Sequence, residues 1–327
     1  MKTFGVTIHS TGKYVPDNSV YNETLTQWMD TSDEWIRKRT GIKKRYLSKG
    51  EDTSDLCIKA SLDALNKRRI DISQIGLVIV ATMTPDSQSP SVSSKVQAAL
   101  KANNAMAFDL SAACSGFVYG LSAAEKMLRH MDHPYALVIG GEVMSKTLDW
   151  NDRKTSVLFG DGAGAVILKK ESGAESFIAE DLHTDGEKGH ALVSGEQAVR
   201  NPLCEMNVKD GFLVMDGRAI FNFVTKSIPK SIEQVLKKGS ADIIDVDYFL
   251  LHQANARIIE IVSKKLDRPL SKFLMNIENY GNTSAASLPI LLDESIENGT
   301  IKLNSGQTIV LSAFGGGLTW GTLLIKI

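Results

Sequence analysis

Asp71-Ile72-Ser73-Gln74-Ile75-Gly76, followed by the apolar run 77–80, decides the fold of this chain. Asp242-Ile243-Ile244-Asp245-Val246-Asp247, followed by the apolar run 248–251, repeats it 171 positions later. Each is an apolar strand entered from an amphipathic helix. Two further pairs keep the same order. Ser111-Ala112-Ala113-Cys114 and Ser284-Ala285-Ala286-Ser287 each open a helix, 173 positions apart, and residues 136–141 resemble 310–315 at a separation of 174. Three matches in one order predict a duplicated α/β unit. The N-terminal half spans 1–172 and the C-terminal half 173–327, joined in the polar stretch 169–176. A duplicated fold commonly places its site between the halves, so functional residues are expected from both.

Outward from these repeats, short apolar runs bounded by Gly, Asp or Pro alternate with longer amphipathic stretches, as in α/β proteins. Strands are predicted at 77–80, 106–110, 136–139, 165–169, 248–251, 273–277, 308–312 and 323–327. Helices are predicted over 54–67 and 117–131, the second carrying Phe117, Leu121, Ala124, Leu128 and Met131 at helical spacing.

The composition sets limits. The 327 residues are 43% hydrophobic and 23% charged, which excludes a disordered or collagen-like chain. Lys plus Arg (37) nearly cancels Asp plus Glu (38), which argues against a nucleic-acid partner. Three cysteines do not make a disulfide framework and fit a reducing cytoplasm. No apolar run approaches the roughly 18 residues of a membrane span. His9 and Ser10 end the N-terminal alternation too early for a signal peptide. A cytoplasmic location follows as the expectation, and the N-x-Ser/Thr triplets at Asn22, Asn282 and Asn298 are read as chance.

Cys114 follows a strand, lies among Ser111, Ala112, Ala113, Ser115 and Gly116, and opens a long helix. Small neighbours admit a substrate, and a helix N-terminus favours thiolate, predicting a lowered pKa. Buried filler is the plain alternative for any free cysteine. Cys57 fits it, and Cys204 has no supporting context. His252 ends an apolar strand, where ligand and catalytic groups cluster in α/β sheets; His9, His130, His133, His183 and His190 lack this placement. Asn282, in Tyr280-Gly281-Asn282-Thr283-Ser284, is compatible with turn and N-cap chemistry as well as with a functional donor. No His/Cys spacing resembles a zinc site, so no metal is implied.

Gly160-Asp161-Gly162-Ala163-Gly164 runs into a strand rather than a helix, the wrong order for a dinucleotide loop. Gly315-Gly316-Gly317 follows a buried strand. Its amides can face a reacting carbonyl, or it can serve as a tight hairpin, and the two are compatible. After His252, Arg257, Lys264 and Arg268 recur at helical spacing opposite Ile258, Val262 and Leu266. Such a basic stripe suits an acidic partner or simply a solvated face.

Taken together these motifs resemble the β-ketoacyl-acyl-carrier-protein synthase III family of initiating condensing enzymes. The likeness runs through Asp30-Thr31-Ser32-Asp33-Glu34-Trp35-Ile36, Arg39-Thr40-Gly41-Ile42, Ala113-Cys114-Ser115-Gly116-Phe117, Phe159-Gly160-Asp161-Gly162-Ala163-Gly164-Ala165, His252-Gln253-Ala254-Asn255, Gly281-Asn282-Thr283-Ser284-Ala285-Ala286-Ser287 and Phe314-Gly315-Gly316-Gly317-Leu318-Thr319-Trp320-Gly321. The resemblance implies a thiolase-like fold, two α/β halves packed as five αβαβα layers. It implies that Cys114 takes an acyl group from acyl-CoA, and that His252 and Asn282 stabilise the enolate from decarboxylation of malonyl-acyl carrier protein. The amides of Cys114 and Gly316 form the oxyanion hole. CoA-binding positions are Thr31, Trp35, Arg39, Arg153, Gly217, Phe221 and Asn255, with Trp35 and Arg153 sandwiching the adenine.

By the same resemblance Arg257 is the principal carrier-protein contact, with Lys264 and Arg268 beside it. Acyl-CoA and malonyl-carrier protein are substrates, and no cofactor is implied. The family is homodimeric, a loop crossing to the partner's acyl pocket; here that loop carries Ser87 and Ser89. Ser89 stands where some acetyl-selective members have Phe, and Asn222 where a carrier-binding Lys often occurs. The alternative within the family is therefore a specialised pathway with a non-acetyl starter or another acceptor. A papain-type hydrolase also orders Cys, His and Asn this way, but with its cysteine near the mature N-terminus and without the duplication. Chalcone-synthase-like enzymes are longer and differ at the glycine-rich end, and a non-catalytic carrier-binding paralogue is expected to lose part of the triad.

Overall fold

Ten strands form two five-stranded mixed sheets with identical connectivity in this computed structural model, which describes residues 4–173, 176–199, 201–203 and 211–327. Cys204 and part of the 169–176 join lie outside the described residues. The first sheet uses β1 (Phe4–Tyr14), β2 (Ile75–Ala81), β3 (Met106–Leu110), β4 (Tyr135–Glu142) and β5 (Gly162–Ser172), in the order β1-β5-β4-β2-β3. The second uses β6 (Phe177–Thr184), β7 (Tyr248–Leu251), β8 (Phe273–Leu274), β9 (Thr308–Gly315) and β10 (Thr319–Lys326), in the order β6-β10-β9-β7-β8. Adding five to each label of the first order yields the second. Parallel and antiparallel pairings match strand for strand.

The described residues include seven longer helices, α1 (Asp33–Thr40), α2 (Thr53–Arg68), α3 (Val92–Leu100), α4 (Gly116–Leu128), α5 (Gly217–Lys238), α6 (Ala256–Lys265) and α7 (Ser287–Glu297), and all but α1, which packs in a separate cluster, cover the sheets. One core lies between the sheets. It joins Leu77 and Ile79 of β2 and Leu311 of β9 to Phe117 and Leu121 of α4 and Leu288 and Leu292 of α7. A second packs α2 and α3 on the outer face of the first sheet, and a third packs α5 and α6 on the outer face of the other. The layers are therefore α, β, α, β, α. The central parallel strand β2 reads Ile-Gly-Leu-Val-Ile-Val-Ala and is buried at every position, because helices cover both of its faces.

Hydrogen-bond register corrects two of the separations read from the sequence. Leu77 pairs with Ala136 and Tyr248 with Ile309, so β4 and β9 are offset by 173, not 174. The short 3-10 turns Ala113–Ser115 and Ser284–Ala286 are equivalent, each leading into a central helix, which makes that offset 171 and pairs Cys114 with Ala285. Strings of small residues slide against one another without penalty; ladder pairings do not.

The strand expected over 273–277 stops at Leu274. Gln253 Oε1 accepts the amides of Asn276 and Ile277 at 3.1 and 3.2 Å, and Ile277–Tyr280 forms a helical turn. The 22-residue α5 was not anticipated, because Pro229 reads as a breaker. Proline lacks the N–H that would bond the carbonyl four residues back; that carbonyl, Thr225, instead accepts from Lys265 Nζ of α6 at 2.8 Å. Helix α6 ends at Lys265 with Asp267 at φ 50°, so Arg268 lies beyond the helix rather than on its stripe.

Candidate active site

Cys114 sits in the turn between β3 and α4, 7% exposed. Three contacts fix it. Gly315, at the end of β9, lies so near that a Cβ there would be 2.6 Å from the Cys114 amide nitrogen. Thr319 Oγ1 donates to Ala112 O or Gly316 O, each at 3.0 Å, and Ser115 Oγ lies 2.7 Å from Thr319 Oγ1. Ser284, from the second half, lies next to the thiol, with its Oγ donating to Glu142 Oε1 at 3.0 Å.

The thiol is not acidified as the helix N-terminus suggested. Burial pushes its pKa up to about 12 against the lowering influence of the Ser284 hydroxyl, and the nearby Glu142 carboxylate adds to the rise. Glu142 ends β4 and is fully buried, its own pKa also raised by burial. It accepts from Thr82 Oγ1 (3.0 Å), Thr84 Oγ1 (2.6 Å), the Met83 amide (3.1 Å) and Ser284 Oγ (3.0 Å).

His252 follows β7, its amide donating to Ser312 O of β9 at 2.8 Å. The ring meets Phe314 edge-on, with centroids 5.1 Å apart, and its Nδ1 is 2.7 Å from Ser287 Oγ. Burial lowers its pKa to about 3, so the imidazole is neutral.

Asn282 is seated by backbone. Its amide donates to Leu158 O at 2.8 Å and its carbonyl accepts from Gly160 N at 3.0 Å. The Gly160–Gly162 segment, unsuited to a dinucleotide, is thus the platform under Asn282; a Cβ on Gly160 would lie 2.4 Å from Tyr280 O. Asn282 Oδ1 accepts the Ser284 amide at 2.8 Å, which leaves Nδ2 as the free end of the carboxamide. Among the described residues, the buried polar side-chain atoms lacking a partner are Thr31 Oγ1, Arg45 Nε and Arg268 Nε. His252 Nε2 and Asn282 Nδ2 make no hydrogen bond among these residues; Asn282 lines a cleft, and His252 is 1% exposed. Two neutral N–H-bearing groups thus stand unengaged in the same half of the site.

A cleft of about 220 Å³ is lined by Trp35, Arg39, Lys154, Leu158, Met215, Gly217, Ile220, Phe221, Asn255 and Asn282, among others; Cys114 and His252 are not among its lining residues.

Models of the 3-oxoacyl-[acyl-carrier-protein (ACP)] synthase III family match residues 108–186 and, for its C-terminal part, 236–327. The β-ketoacyl-[acyl-carrier-protein] synthase III of Streptococcus mutans is 52% identical over 315 residues, 96% of this chain and 97% of its own. The chain belongs to this family. Among solved structures, the synthase III of Aquifex aeolicus superposes with a TM-score of 0.91 at 40% identity, covering 99% of this chain and all of that one. The priming β-ketosynthase of the R1128 polyketide pathway superposes with the same score at 32% identity, covering 99% and 96%.

Neighbouring positions of β9 touch two of the predicted site residues, Gly315 packing on Cys114 and Phe314 on His252, while Asn282 lines the cleft with Trp35, Arg39, Gly217, Phe221 and Asn255. Asn255 also caps α6, its Oδ1 accepting the Arg257 amide at 3.0 Å while Nδ2 donates to Arg39 O at 3.0 Å. Arg39 and Arg153 stand 4.3 and 5.2 Å from the Trp35 ring centre, with Arg153 bonded to Asp30. Thr31 and Arg153 do not line the cleft. Arg257 and Lys264 are exposed on α6. Ser87 and Ser89 lie on an outer loop, Ser89 exposed and Ser87 Oγ donating to Pro90 O at 3.1 Å; neither lines the cleft.

Sequence reasoning missed Glu142, Ser287, Lys154, Leu158, Met215 and Ile220. Glu142 carried a usable signal: a carboxylate at the C-terminal end of an apolar parallel strand. Asp63, Asp293 and Glu297 cluster at metal-like spacing, but Lys13 and Lys67 already form ion pairs with all three.

Proposed function

We propose that the chain is an initiating condensing enzyme built from halves 1–172 and 173–327. It transfers an acyl group from acyl-CoA to Cys114, then condenses it with malonyl-acyl carrier protein to give β-ketoacyl-carrier protein, CoA and CO2, the first step of fatty acid biosynthesis. The observation that carries this reading is that His252 Nε2 and Asn282 Nδ2 have no hydrogen-bond partner among the described residues, while adjacent residues of β9, Phe314 and Gly315, pack on His252 and on the buried Cys114.

In the first stage the Cys114 sulfur attacks the thioester carbonyl. Its proton ends on the departing CoA sulfur, so the buried site changes no net charge. A thiol raised by burial suits this, because a resting thiolate beside Glu142 would be costly. The oxyanion of the tetrahedral intermediate rests on the Cys114 and Gly316 amides.

In the second stage the malonyl carboxylate leaves as CO2 and its bonding electrons pass into the thioester enolate. His252 and Asn282 donate to the enolate oxygen. The enolate carbon attacks the acyl-Cys114 carbonyl, the C–S bond breaks, and the sulfur is reprotonated. Asn282 donates without titrating, and a neutral His252 donates only when its hydrogen is on Nε2.

Coenzyme A enters by the cleft, with Thr31, Trp35, Arg39, Arg153, Gly217, Phe221 and Asn255 along its path. A planar base between Trp35 and Arg153 needs roughly 7 Å, about 3.5 Å on each side, so Arg153 swings away from Asp30 as adenine arrives. Arg257, Lys264 and Arg268 offer positive charge to the acidic carrier protein. The enzyme works as a cytoplasmic homodimer without cofactor, and the loop bearing Ser87 and Ser89 reaches the partner's pocket. Ser89, small and polar, favours a second reading in which the starter is not acetyl and the pathway is specialised.

The test is a panel of acyl-CoAs with malonyl-carrier protein, the product read by the mass of the carrier protein. β-Ketoacyl-carrier protein from acetyl-CoA supports the main reading, and product only from longer or branched starters supports the second. Hydrolysis without condensation overturns both.

A further inference from the structure

The two halves build the same junction where a central strand ends and a central helix begins. In the first half, Ala81 ends β2 and Gly116 opens α4; a Cβ on Gly116 would lie 3.1 Å from Ala81 Cβ. In the second half, 171 positions on, the same junction is made by His252 and Ser287, with Nδ1 and Oγ 2.7 Å apart. An apolar contact in one half is a hydrogen bond in the other. The half that carries His252 has a polar dyad where the half that carries Cys114 has only packing.

The hydroxyl has one hydrogen, and its direction follows from where that hydrogen can go. Ser287 Oγ faces the Gln253 amide at 3.5 Å, and among the described residues it makes no bond to any acceptor other than Nδ1. Two lone pairs could take both N–H groups, but the buried hydroxyl hydrogen would then be unpaired, so the hydrogen bridges to Nδ1. Nδ1 is then an acceptor, and a neutral ring carries its single proton on Nε2. The reverse tautomer would aim the Nε2 lone pair at the forming enolate oxygen, opposing the charge instead of stabilising it. Phe314 packs on the ring edge-on and Ser312 O holds the His252 amide, so the ring cannot readily turn to exchange its nitrogens.

We propose that Ser287 is a positioning residue that holds His252 in the Nε2–H tautomer and so makes it a donor to the enolate. This rests on the enolate-stabilising role given to His252 above. Ser287 touches no substrate and acts only through the ring.

The test has a substrate-free arm and a kinetic arm. In the enzyme labelled with 15N-histidine, the His252 signals, assigned by their loss in His252→Gln, are expected to show a protonated Nε2 and an unprotonated Nδ1 near pH 7. Ser287→Ala is expected to give a mixture of tautomers. The same variant should acylate Cys114 at a rate within about twofold of the parent while malonyl decarboxylation falls about tenfold or more, and Ser287→Thr, which keeps the hydroxyl, should recover most of the loss. A protonated Nδ1 in the parent enzyme overturns the proposal, as does undiminished decarboxylation by a folded Ser287→Ala. Should the alanine variant fail to fold, the parent spectrum and the threonine variant still decide. The spectrum needs no substrate, so a failure of the condensing reading shows separately, as a parent enzyme that never decarboxylates malonyl-carrier protein.

Discussion

Ala113 and Ser284, 171 positions apart, hold the same left-handed backbone, φ 47° and 50°, at the head of equivalent 3-10 turns. For a non-glycine residue that conformation costs of order 1–2 kcal/mol. The two turns meet between the sheets, where one presents Cys114 and the other Ser284, which donates to Glu142. A β-branched side chain tolerates this backbone least. Ala113→Val is therefore expected to lower stability by about 2 kcal/mol and to abolish acylation of Cys114. Thermal unfolding and intact mass check the two halves of that expectation.

Burial, not the helix dipole, governs the Cys114 thiol. With its pKa pushed up to about 12, the thiolate fraction at pH 8 is on the order of 10⁻⁴, against about a quarter for a free cysteine. Since the pKa is raised, the thiolate gains with every step in pH across the neutral range. Alkylation of Cys114 by iodoacetamide should climb without levelling to at least pH 10. A plateau near pH 8 would show that the sulfur ionises as the sequence suggested.

Asn282 separates the two stages of the reaction. Its backbone bonds to Leu158 and Gly160 survive truncation of the side chain, so Asn282→Ala should fold. Acylation from acyl-CoA should persist, while decarboxylation of malonyl-carrier protein falls by roughly 10²–10³. Single-turnover measurements of each stage read this directly, and full condensation by the variant would remove Asn282 from its assigned place.

Much of this was legible in the sequence, for reasons that differ by residue. The central strands were visible because burial on both faces makes continuous apolar runs, as at β2 and β7. The duplication was visible too, though its register was blurred by strings of alanine and serine that match at several offsets. Helix α5 was hidden because Pro229 looks like a stop, and only the distant Lys265 explains how Thr225 is satisfied. Cys114 and His252 drew notice by their places at a helix start and a strand end, whereas Asn282 read as well as a turn residue and was singled out only by the family resemblance. Glu142 and Ser287 drew none, since one acts on the thiol through space and the other through a ring 35 positions away in sequence. The depressed acidity of Cys114 was equally invisible: local sequence reports the helix, whereas desolvation comes from the whole fold.

Gly315 is required by distance rather than by backbone angle. A Cβ 2.6 Å from the Cys114 nitrogen has backbone, not a flexible side chain, in its way. Gly315→Ala should cost about 1–3 kcal/mol of stability and slow acylation by at least about tenfold, measured by unfolding and by the rate of acyl-enzyme formation. Wild-type acylation by the variant would show that the turn can yield.

The most direct test of the central claim is the intact mass of the enzyme after incubation with an acyl-CoA, followed by peptide mapping. One acyl group per chain should appear on Cys114, persist in the absence of a second substrate, and vanish when malonyl-carrier protein is added, as β-ketoacyl-carrier protein forms. Cys114→Ser should carry no acyl group. An enzyme that remains unacylated with every acyl-CoA tried, or that is acylated equally well without Cys114, would contradict the account.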